Sequence, residues 1–268
     1  MTVSRLAAAE AAAALRARGA VAYVSHSGGK DSQAMYALVS RFFAPDRIVV
    51  VHADLKRAEH AGVQDQIRST IHHDLNVVSA RGGDLLDRVL ARHKKRPDVP
   101  PWPSARARWC TSDLKRTPID RFIRADIARR GRTLAVNVVG LRAEESRSRK
   151  AKHPMTYNAR LSRAGREVWD WLPIHHLTER EVYDVIADAG QTPHPSYAEG
   201  NDRLSCQFCI LATANDLTLG AQRDPALYRA YRRVERQTGY TMFAGASLPE
   251  RVEATRRGGS SARAIARR

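Results

Sequence analysis

The chain has 268 residues, of which 43% are hydrophobic, and it carries a formal net charge of +17. This length suits one large domain or two small ones, and the hydrophobic fraction suits a globular core. No apolar run approaches the ~20 residues that span a bilayer, so neither a membrane span nor a membrane partner is expected. The alanine-rich stretch 1–19 lacks a signal-peptide cleavage pattern and predicts a solvent-facing helix, so we expect a cytoplasmic location.

Short apolar runs alternate with helical patterns along most of the chain. Strands are predicted at 21–24, 47–52, 76–79, 134–139 and 169–173. Helices are predicted at 33–43, 63–75, 85–93, 118–130, 179–189, 214–223 and 225–238. Alternating strands and helices predict an α/β fold with a doubly wound, mostly parallel sheet, whose ligand lies beyond the carboxyl ends of the strands.

The composition shifts near residue 190, where turn-forming residues replace the regular pattern. We therefore predict a nucleotide-binding domain over 1–190 and a C-terminal subdomain over 191–253. Residues 254–268 carry five arginines and are predicted to form a disordered basic tail.

A short glycine loop follows the first predicted strand and precedes a helical stretch: Ser27-Gly28-Gly29-Lys30-Asp31-Ser32. Two glycines permit positive φ and a close approach of backbone to ligand, and the N–H groups at a helix N-terminus favour an anion. Lys30 adds a mobile positive charge, while Ser27 and Ser32 add hydroxyl donors. The loop predicts a phosphate cradle, with an ordinary turn before a helix as the alternative.

This loop matches neither the Walker A pattern nor Gly-x-Gly-x-x-Gly. It resembles the PP-loop of the ATP-pyrophosphatase superfamily. The resemblance implies an adenine nucleotide alpha-hydrolase-like fold that cleaves ATP between its α- and β-phosphates. Residues 27–32 would then bind the nucleotide, with Lys30 and Asp31 as catalytic residues and Mg²⁺ bridging the phosphates.

Polar residues also follow the second and fourth predicted strands. Arg142 is a candidate catalytic contact to phosphate, because guanidinium pairs bidentately with phosphate oxygens, and Gly140 belongs to the same candidate nucleotide site. Glu144 and Glu145 would orient Arg142 or hold Mg²⁺, with a solvated charged loop as the alternative. Asp54 is a candidate ligand of a ribose hydroxyl or of Mg²⁺, with a helix cap as the alternative.

The chain has three cysteines, an odd number that argues against a disulfide framework. Cys206-x-x-Cys209 places two thiolates so that one metal centre can take both, and Cys110 lies far upstream. Three interpretations stay open. The cysteines could hold a [4Fe–4S] cluster with one iron left open for a sulfide, or zinc together with His194 or His153, or they could be small core residues.

The order of these motifs resembles the phosphoadenosine-phosphosulfate reductase branch of the superfamily. The matching segments run from the PP-loop through Cys110…Lys115…Pro118 and the 140–149 loop to the Cys206–Cys209 pair. Iron–sulfur members of the branch pair a Cys-Cys dipeptide with the later Cys-x-x-Cys, whereas Cys110 stands alone. No cysteine follows Cys209, where the reductases carry a catalytic one, and the PP-loop is intact where theirs is degraded.

These departures favour adenylation with sulfur transfer, as in the DNA phosphorothioation and tRNA thiolation enzymes of the superfamily. We therefore predict an ATP pyrophosphatase that adenylates a nucleic acid, DNA foremost, and supports sulfur insertion through an iron–sulfur cluster. A cysteine desulfurase and other modification-complex subunits are candidate partners. The alternatives are a sulfonucleotide reductase of sulfate assimilation and a non-catalytic nucleotide-binding subunit.

The basic charge is the second argument for a nucleic-acid partner. Removing the five tail arginines from +17 leaves +12 on the rest, which favours phosphate contacts, although an arginine-rich composition alone is the alternative. Residues 92–109 are basic and proline-rich and contain Trp102 and Trp109. Such a segment suits base stacking and phosphate neutralisation. The alternative is a solvated insertion with Trp109 in the core.

Overall fold

The computed structural model of the protein describes residues 5–253. Its strands are β1 (Val21–Ser25), β2 (Ile48–Asp54), β3 (Leu75–Ser79), β4 (Leu134–Val138), β5 (Met155–Tyr157) and β6 (Glu167–Trp171). Its α-helices are α1 (Arg5–Ala17), α2 (Lys30–Phe42), α3 (Val63–Thr70), α4 (Leu85–Lys95), α5 (Thr117–Arg129), α6 (Arg147–Lys150), α7 (Glu179–Asp188), α8 (Ala214–Arg223) and α9 (Pro225–Thr238). No helix in this part of the chain is long and apolar enough to cross a membrane.

The strands form one sheet in the order β3-β2-β1-β4-β6-β5. Strand β1 pairs in parallel with both β2 and β4, and β4 pairs in parallel with β6. Only the short edge strand β5 is shown to be antiparallel among the described pairs, and the sequence did not predict it. The predicted α/β fold with a mostly parallel sheet is confirmed. Because the chain runs outward from β1 in both directions, the carboxyl ends of β1 and β4 form the crevice where such sheets bind ligands.

The described chain divides into two compact units. Unit 1 contains residues 5–53, 62–78 and 117–194, and unit 2 contains residues 54–61, 79–116 and 195–253. Unit 2 thus adds two stretches, 54–61 and 79–116, to the predicted C-terminal segment. The domain boundaries at 190 and 253 stay predictions, and the basic tail 254–268 lies outside the described residues.

Unit 1 is built around the central strands of the sheet. Strand β1 is apolar and buried over its first four residues, as a strand covered on both faces must be. Helix α1 is not solvent-facing on all sides, which corrects the sequence prediction. Ala8, Ala12 and Leu15 are buried, and their spacing of four and three residues places them on one helical face.

Unit 2 is built around a second apolar cluster, in which α4, α8 and α9 meet the Cys-x-x-Cys segment. Trp102 is 6% exposed, stacks on Tyr231 and donates from Nε1 to the Tyr240 carbonyl at 2.9 Å. Helix α4 extends to Lys95, two residues beyond its predicted end at His93, so Lys94 and Lys95 are helical and do not belong to the proline-rich loop. A π-helical turn over Thr111–Arg116 follows Cys110.

Candidate functional site

The glycine loop connects β1 to α2, and its own side chains hold it in shape. Gly28 has φ 78, a left-handed conformation that favours glycine, and Gly29 precedes the first turn of α2. The Ser32 hydroxyl lies 3.1 Å from the Ser27 amide and donates to the Gly29 carbonyl at 2.8 Å. The N–H groups of the first turn of a helix have no helical acceptor, so this end of α2 favours an anion.

His26 directly precedes the loop and stabilises it through a hydrogen bond to Gly28. Its Nδ1 accepts a hydrogen bond from the Gly28 amide at 3.1 Å, so the ring proton of the neutral form lies on Nε2. That nitrogen has no hydrogen-bond partner in the described part of the chain. Burial, and then the neighbouring His52, lower the pKa of His26 to about 3. The imidazole is therefore neutral at physiological pH, and its Nδ1 accepts the hydrogen bond that the Gly28 amide donates.

Lys30, the first residue of α2, is 4% exposed. Its Nζ lies 3.1 Å from Glu179 Oε1 and 3.8 Å from Asp31 Oδ2. Glu179 is the first residue of α7, and Thr178 caps that helix. The Lys30 ammonium is thus neutralised by two carboxylates.

Arg142 follows β4 and is 5% exposed. Its Nε lies 2.5 Å from Asp31 Oδ1, and its NH1 pairs with Glu144. Burial alone would lower the pKa of Arg142, but Asp31 and the glutamates raise it above its usual value, so the guanidinium stays charged. The Glu144 carboxylate also accepts from the Glu179 amide at 2.8 Å. The two cations therefore belong to one network with three carboxylates.

Gly140 allows β4 and α2 to approach closely. A Cβ atom at this position would lie 3.2 Å from the Asp31 carbonyl oxygen and 3.5 Å from Met35 Sδ. A side chain would therefore press on the helix that carries the loop. The structure brings together the predicted residues of unit 1, namely Ser27, Gly28, Gly29, Lys30, Asp31, Ser32, Gly140 and Arg142.

Asp54 has a local role at the end of β2. Its Oδ1 accepts a hydrogen bond from the Lys56 amide at 2.7 Å, and Lys56 has φ 55. An aspartate that accepts from the amide two residues ahead stabilises a turn. The residue that precedes the short 3-10 helix Lys56–Ala58 is Leu55, so Asp54 stabilises a turn and is not a helix cap. A role of Asp54 toward a nucleotide stays a prediction.

All three cysteines lie in unit 2 and are free thiols, each half-buried. Between Cys206 and Cys209, Gln207 donates from its amide to the Ala58 carbonyl at 2.9 Å, and Phe208 is fully buried. These two anchors fix the turn that carries the paired thiols. Cys110, Cys206 and Cys209 all pack against the same apolar cluster.

The three thiols share one electrostatic environment. Burial raises the pKa of Cys206 to about 11, Lys115 lowers it, and Cys209 and Cys110 raise it. Burial and then Cys209 likewise raise the pKa of Cys110, against an opposing effect of Lys115. Lys115 lies five residues after Cys110, which is about one turn of a π-helix, so the unusual turn returns its charge toward the thiols.

The donor atoms of this cluster are three thiol sulfurs, a ligand type that both zinc and iron–sulfur groups use. Within residues 5–253, no group of three or more His, Cys, Asp or Glu side chains is arranged to hold a metal ion. Zinc would need four ligands at about 2.0–2.3 Å. An iron–sulfur cluster is larger than one ion and holds its thiolates farther apart. Three free thiols and the partnerless buried hydroxyl of Tyr231 suit it, and the group itself stays a prediction.

The basic segment divides into a buried part and an exposed part. Trp102 is a core residue, so it does not stack bases at a surface. Trp109 is half-buried, and the Arg92 guanidinium lies 4.2 Å from its ring centroid. The side chains that remain exposed and basic in this segment are Arg92, Lys94, Lys95, Arg96, Arg106 and Arg108. We call these six residues the basic patch.

Three site residues escaped the sequence analysis: His26, Glu179 and Tyr231. His26 directly precedes the loop, so its position was a signal. Glu179 and Tyr231 carry no such signal, because Glu179 lies 149 residues from Lys30 and Tyr231 lies 22 residues from Cys209. Only the fold brings them to those groups.

A parallel sheet with a cation-bearing glycine loop at the divergence of β1 and β4 defines a nucleotide-binding α/β protein. The phosphoadenosine phosphosulfate reductase domain family matches residues 21–212, and the chain belongs to this family. At the level of class the chain is a nucleotide-utilising enzyme. The membership confirms the resemblance drawn from the motifs, whereas the DNA-thiolation subtype stays a prediction.

Solved structures that are similar to this chain include the following two. Phosphoadenylyl-sulfate reductase from Candida auris, in a phosphate complex, has a TM-score of 0.45 and 14% identity over 69% of this chain and 80% of that one. FMN adenylyltransferase from Candida glabrata, with FAD and inorganic pyrophosphate, has a TM-score of 0.42 and 13% identity over 70% of this chain and 55% of that one. No curated protein sequence matches the chain.

Proposed function

We propose that this protein is an ATP pyrophosphatase that adenylates a nucleic-acid substrate, DNA foremost, and supports the insertion of sulfur. The observation that carries the proposal is the network of Lys30, Asp31 and Arg142 at the loop. Two buried cations converge there on a helix N-terminus, an arrangement that suits the phosphates of a nucleotide.

The carboxylates of this network have a second use when ATP arrives. Phosphate oxygens would replace Glu179 at Lys30 and Asp31 at Arg142, because each cation can form a charge-assisted bond with either kind of anion. The released carboxylates then face the phosphates, where they can hold Mg²⁺, a cation that takes oxygen ligands from one or two carboxylates and from phosphates. The site would exchange internal ion pairs for nucleotide contacts.

The chemistry follows from this placement. An oxygen of the substrate attacks the α-phosphorus, the bond from that phosphorus to the oxygen bridging to the β-phosphorus breaks, and pyrophosphate leaves. Lys30 and the loop amides stabilise the negative charge that develops on the leaving group. A sulfide then displaces AMP, which carries away the substrate oxygen, so the exchange is redox-neutral. A cluster held by Cys110, Cys206 and Cys209, when bound, would supply the sulfide-binding iron.

The acceptor is proposed from charge. Residues 92–108 carry six Lys or Arg residues and one Asp, and the basic patch among them is exposed. Binding to duplex DNA should therefore weaken as the salt concentration rises. The logarithm of the binding constant should fall against the logarithm of salt concentration with a slope of about −0.9 per phosphate neutralised. Replacing Lys94, Lys95 and Arg106 together by Gln should flatten the slope by about 0.9 for each phosphate that no longer pairs with a cation. Fluorescence anisotropy across a salt series measures it, with Lys152→Gln as an exposed control.

The direct test follows AMP and pyrophosphate release from ATP by anaerobically purified protein. Release that rises on adding duplex DNA, single-stranded DNA or RNA identifies the acceptor class. Stoichiometric binding of ATP without pyrophosphate release contradicts the enzymatic proposal and favours a nucleotide-binding subunit.

A sulfonucleotide reductase is the second candidate, and the family match itself favours it. A reductase releases sulfite from a sulfonucleotide in the presence of a dithiol reductant and needs no ATP. Sulfite release without pyrophosphate release would replace the first proposal by this one.

A further inference from the structure

The hydroxyl of Tyr231 is buried without a partner. The residue lies in α9, is 0% exposed, and its hydroxyl has no hydrogen-bond partner in the described part of the chain. A buried hydroxyl without a hydrogen bond destabilises a fold, and a phenylalanine of nearly the same shape would avoid that cost. A ligand that accepts the hydrogen bond would explain the hydroxyl.

The ring of Tyr231 is held in place from two sides. It stacks on Trp102 at a centroid distance of 6.0 Å and an angle of 24°, and it packs against Phe208 at 5.0 Å. Phe208 is the residue between the paired thiols that anchors their turn in the core. Because the C–O bond lies on the ring axis, a fixed ring also fixes where the hydroxyl oxygen is.

The groups around this oxygen identify the acceptor. Burial, then Cys206, Asp84 and Cys209, raise the pKa of Tyr231, while Arg57 lowers it. The hydroxyl thus keeps its proton and can act as a donor. Asp84 Oδ1 accepts from Arg57 and from the amides of Leu86 and Asp87, Oδ2 accepts from Arg57, and neither oxygen accepts from Tyr231. Of the groups that raise this pKa, Cys206 and Cys209 lie on the turn whose Phe208 packs against the Tyr231 ring.

We propose that Tyr231 is a positioning residue of the sulfur centre, and that its hydroxyl donates a hydrogen bond to a sulfur atom of the iron–sulfur group held by Cys110, Cys206 and Cys209. The inference rests on the iron–sulfur part of the proposed function and adds a residue of unit 2 that no motif marks. Hydrogen bonds to sulfur help to set the reduction potential of such groups.

The test is Tyr231→Phe in two states of the full-length protein. In metal-free protein, the urea midpoint should stay the same or rise, because the variant removes a hydroxyl that has no partner. After anaerobic iron loading, the variant should bind as much iron as the wild type but show a more negative reduction potential. A donor to sulfur stabilises the reduced, more negative state, and removing the donor reverses that effect.

Two further variants sharpen the test. Tyr228→Phe removes a hydroxyl from the same helix, where the ring lies 6.0 Å from Phe208, and should leave the potential unchanged. Site-specific 3-fluorotyrosine at position 231 keeps the hydroxyl and makes it a stronger donor, so the potential should move opposite to that of the phenylalanine variant. This variant keeps the hydroxyl and changes one ring hydrogen to fluorine, and it does not depend on the folding of Tyr231→Phe.

Each remaining outcome overturns the inference. If the iron-loaded Tyr231→Phe and fluorotyrosine proteins both have the wild-type reduction potential, the hydrogen bond from Tyr231 is contradicted. The cluster itself is not contradicted by that result. A lower urea midpoint of metal-free Tyr231→Phe would mean that the hydroxyl has a partner in the protein. Wild-type protein that takes up no iron would overturn this inference together with the iron–sulfur part of the proposed function.

Discussion

The loop site of unit 1 and the thiol site of unit 2 satisfy their polar groups in opposite ways. At the loop, Lys30 and Arg142 are already paired with Glu179, Asp31 and Glu144. At the thiols, burial keeps the pKa of Cys206 high and the Tyr231 hydroxyl lacks a partner among the described residues. The cations of the first site are paired with carboxylates, so an anion there would have to exchange with them. At the second site, a bound group would give the hydroxyl a partner.

This difference has a physical basis in desolvation. A buried cation without a counterion is strongly disfavoured, so a site that must bind an anion repeatedly keeps carboxylates nearby. Thiols avoid the same cost by staying protonated, and they become anionic when a metal centre compensates them. We therefore expect a readily exchanging substrate at the loop and a resident group at the thiols.

The largest expected effect is at the thiol site. Cys110→Ser, Cys206→Ser and Cys209→Ser should each abolish the cluster, because a three-thiolate set has no spare ligand. Anaerobic wild-type protein should be brown, with broad absorption near ~400 nm and about four irons per chain, as expected of a [4Fe–4S] centre. Iron analysis and absorption spectra measure the loss, and ATP binding should persist.

Ser205→Ala, next to the paired thiols, is the matched control and should keep its iron. A colourless protein with one zinc per chain would contradict the cluster and indicate a structural site. Retention of iron by one of the three serine variants would remove that cysteine from the ligand set.

Lys30→Ala should have the next largest effect. Removing one preorganised group that stabilises developing charge lowers kcat by about 10²–10³-fold, so pyrophosphate and AMP release should fall by that factor. Unfolding by urea should change little, because Glu179 is half exposed and its carboxylate regains water. Lys152→Ala, at an exposed lysine of the same unit, should retain wild-type rates. Wild-type turnover in Lys30→Ala would exclude the loop as the reaction site.

The pH dependence of stability probes the base of the loop. The pKa of His26 is about 3 in the folded protein, below the ~6.5 of an unfolded histidine. Above pH ~6.5 both states are neutral and the stability is fully present. As the pH falls from there toward 3, the unfolded chain takes up a proton that the folded chain does not, so stability declines.

His26→Asn retains a side-chain acceptor for the Gly28 amide and removes the titration. Its urea midpoint should therefore fall less steeply than that of the wild type over this range. The exposed control His153→Asn should follow the wild-type curve. Parallel curves for His26→Asn and the wild type would show that His26 titrates normally in the folded protein.

The smallest expected effect tests whether Glu179 competes with a bound anion for Lys30. Without Mg²⁺, Glu179→Gln should bind pyrophosphate more tightly, because the anion no longer competes with a carboxylate for the ammonium. Ion pairs with an exposed partner contribute about 0.2–1 kcal/mol, so the gain should be about 1.4- to 5-fold in Kd. Isothermal titration calorimetry measures it, with Asp184→Asn on the same helix as control. Weaker binding would mean that Glu179 assists the anion instead.

Much of the fold could be predicted because its signals are local. Apolar runs and helical periodicity predicted five of the six strands and the spans Ala214–Arg223 and Pro225–Thr238 as the structure has them. The edge strand Met155–Tyr157 was missed because three residues carry too little pattern. The loop was predicted as a phosphate cradle because such a cradle needs glycines, a lysine and a helix N-terminus in one continuous stretch, and the structure has it between Val21–Ser25 and Lys30–Phe42.

The sequence by itself determined the fold class, the loop and the cysteine set, since each is written in residue types and short spacings. Only the tertiary structure decided that Trp102 belongs to the core, that Glu179 reaches Lys30, and that Tyr231 is buried beside the thiol turn. The reason is that burial and pairing depend on which distant segments pack together. A side chain has the same local signal whether it faces solvent, a counterion or a neighbouring ring.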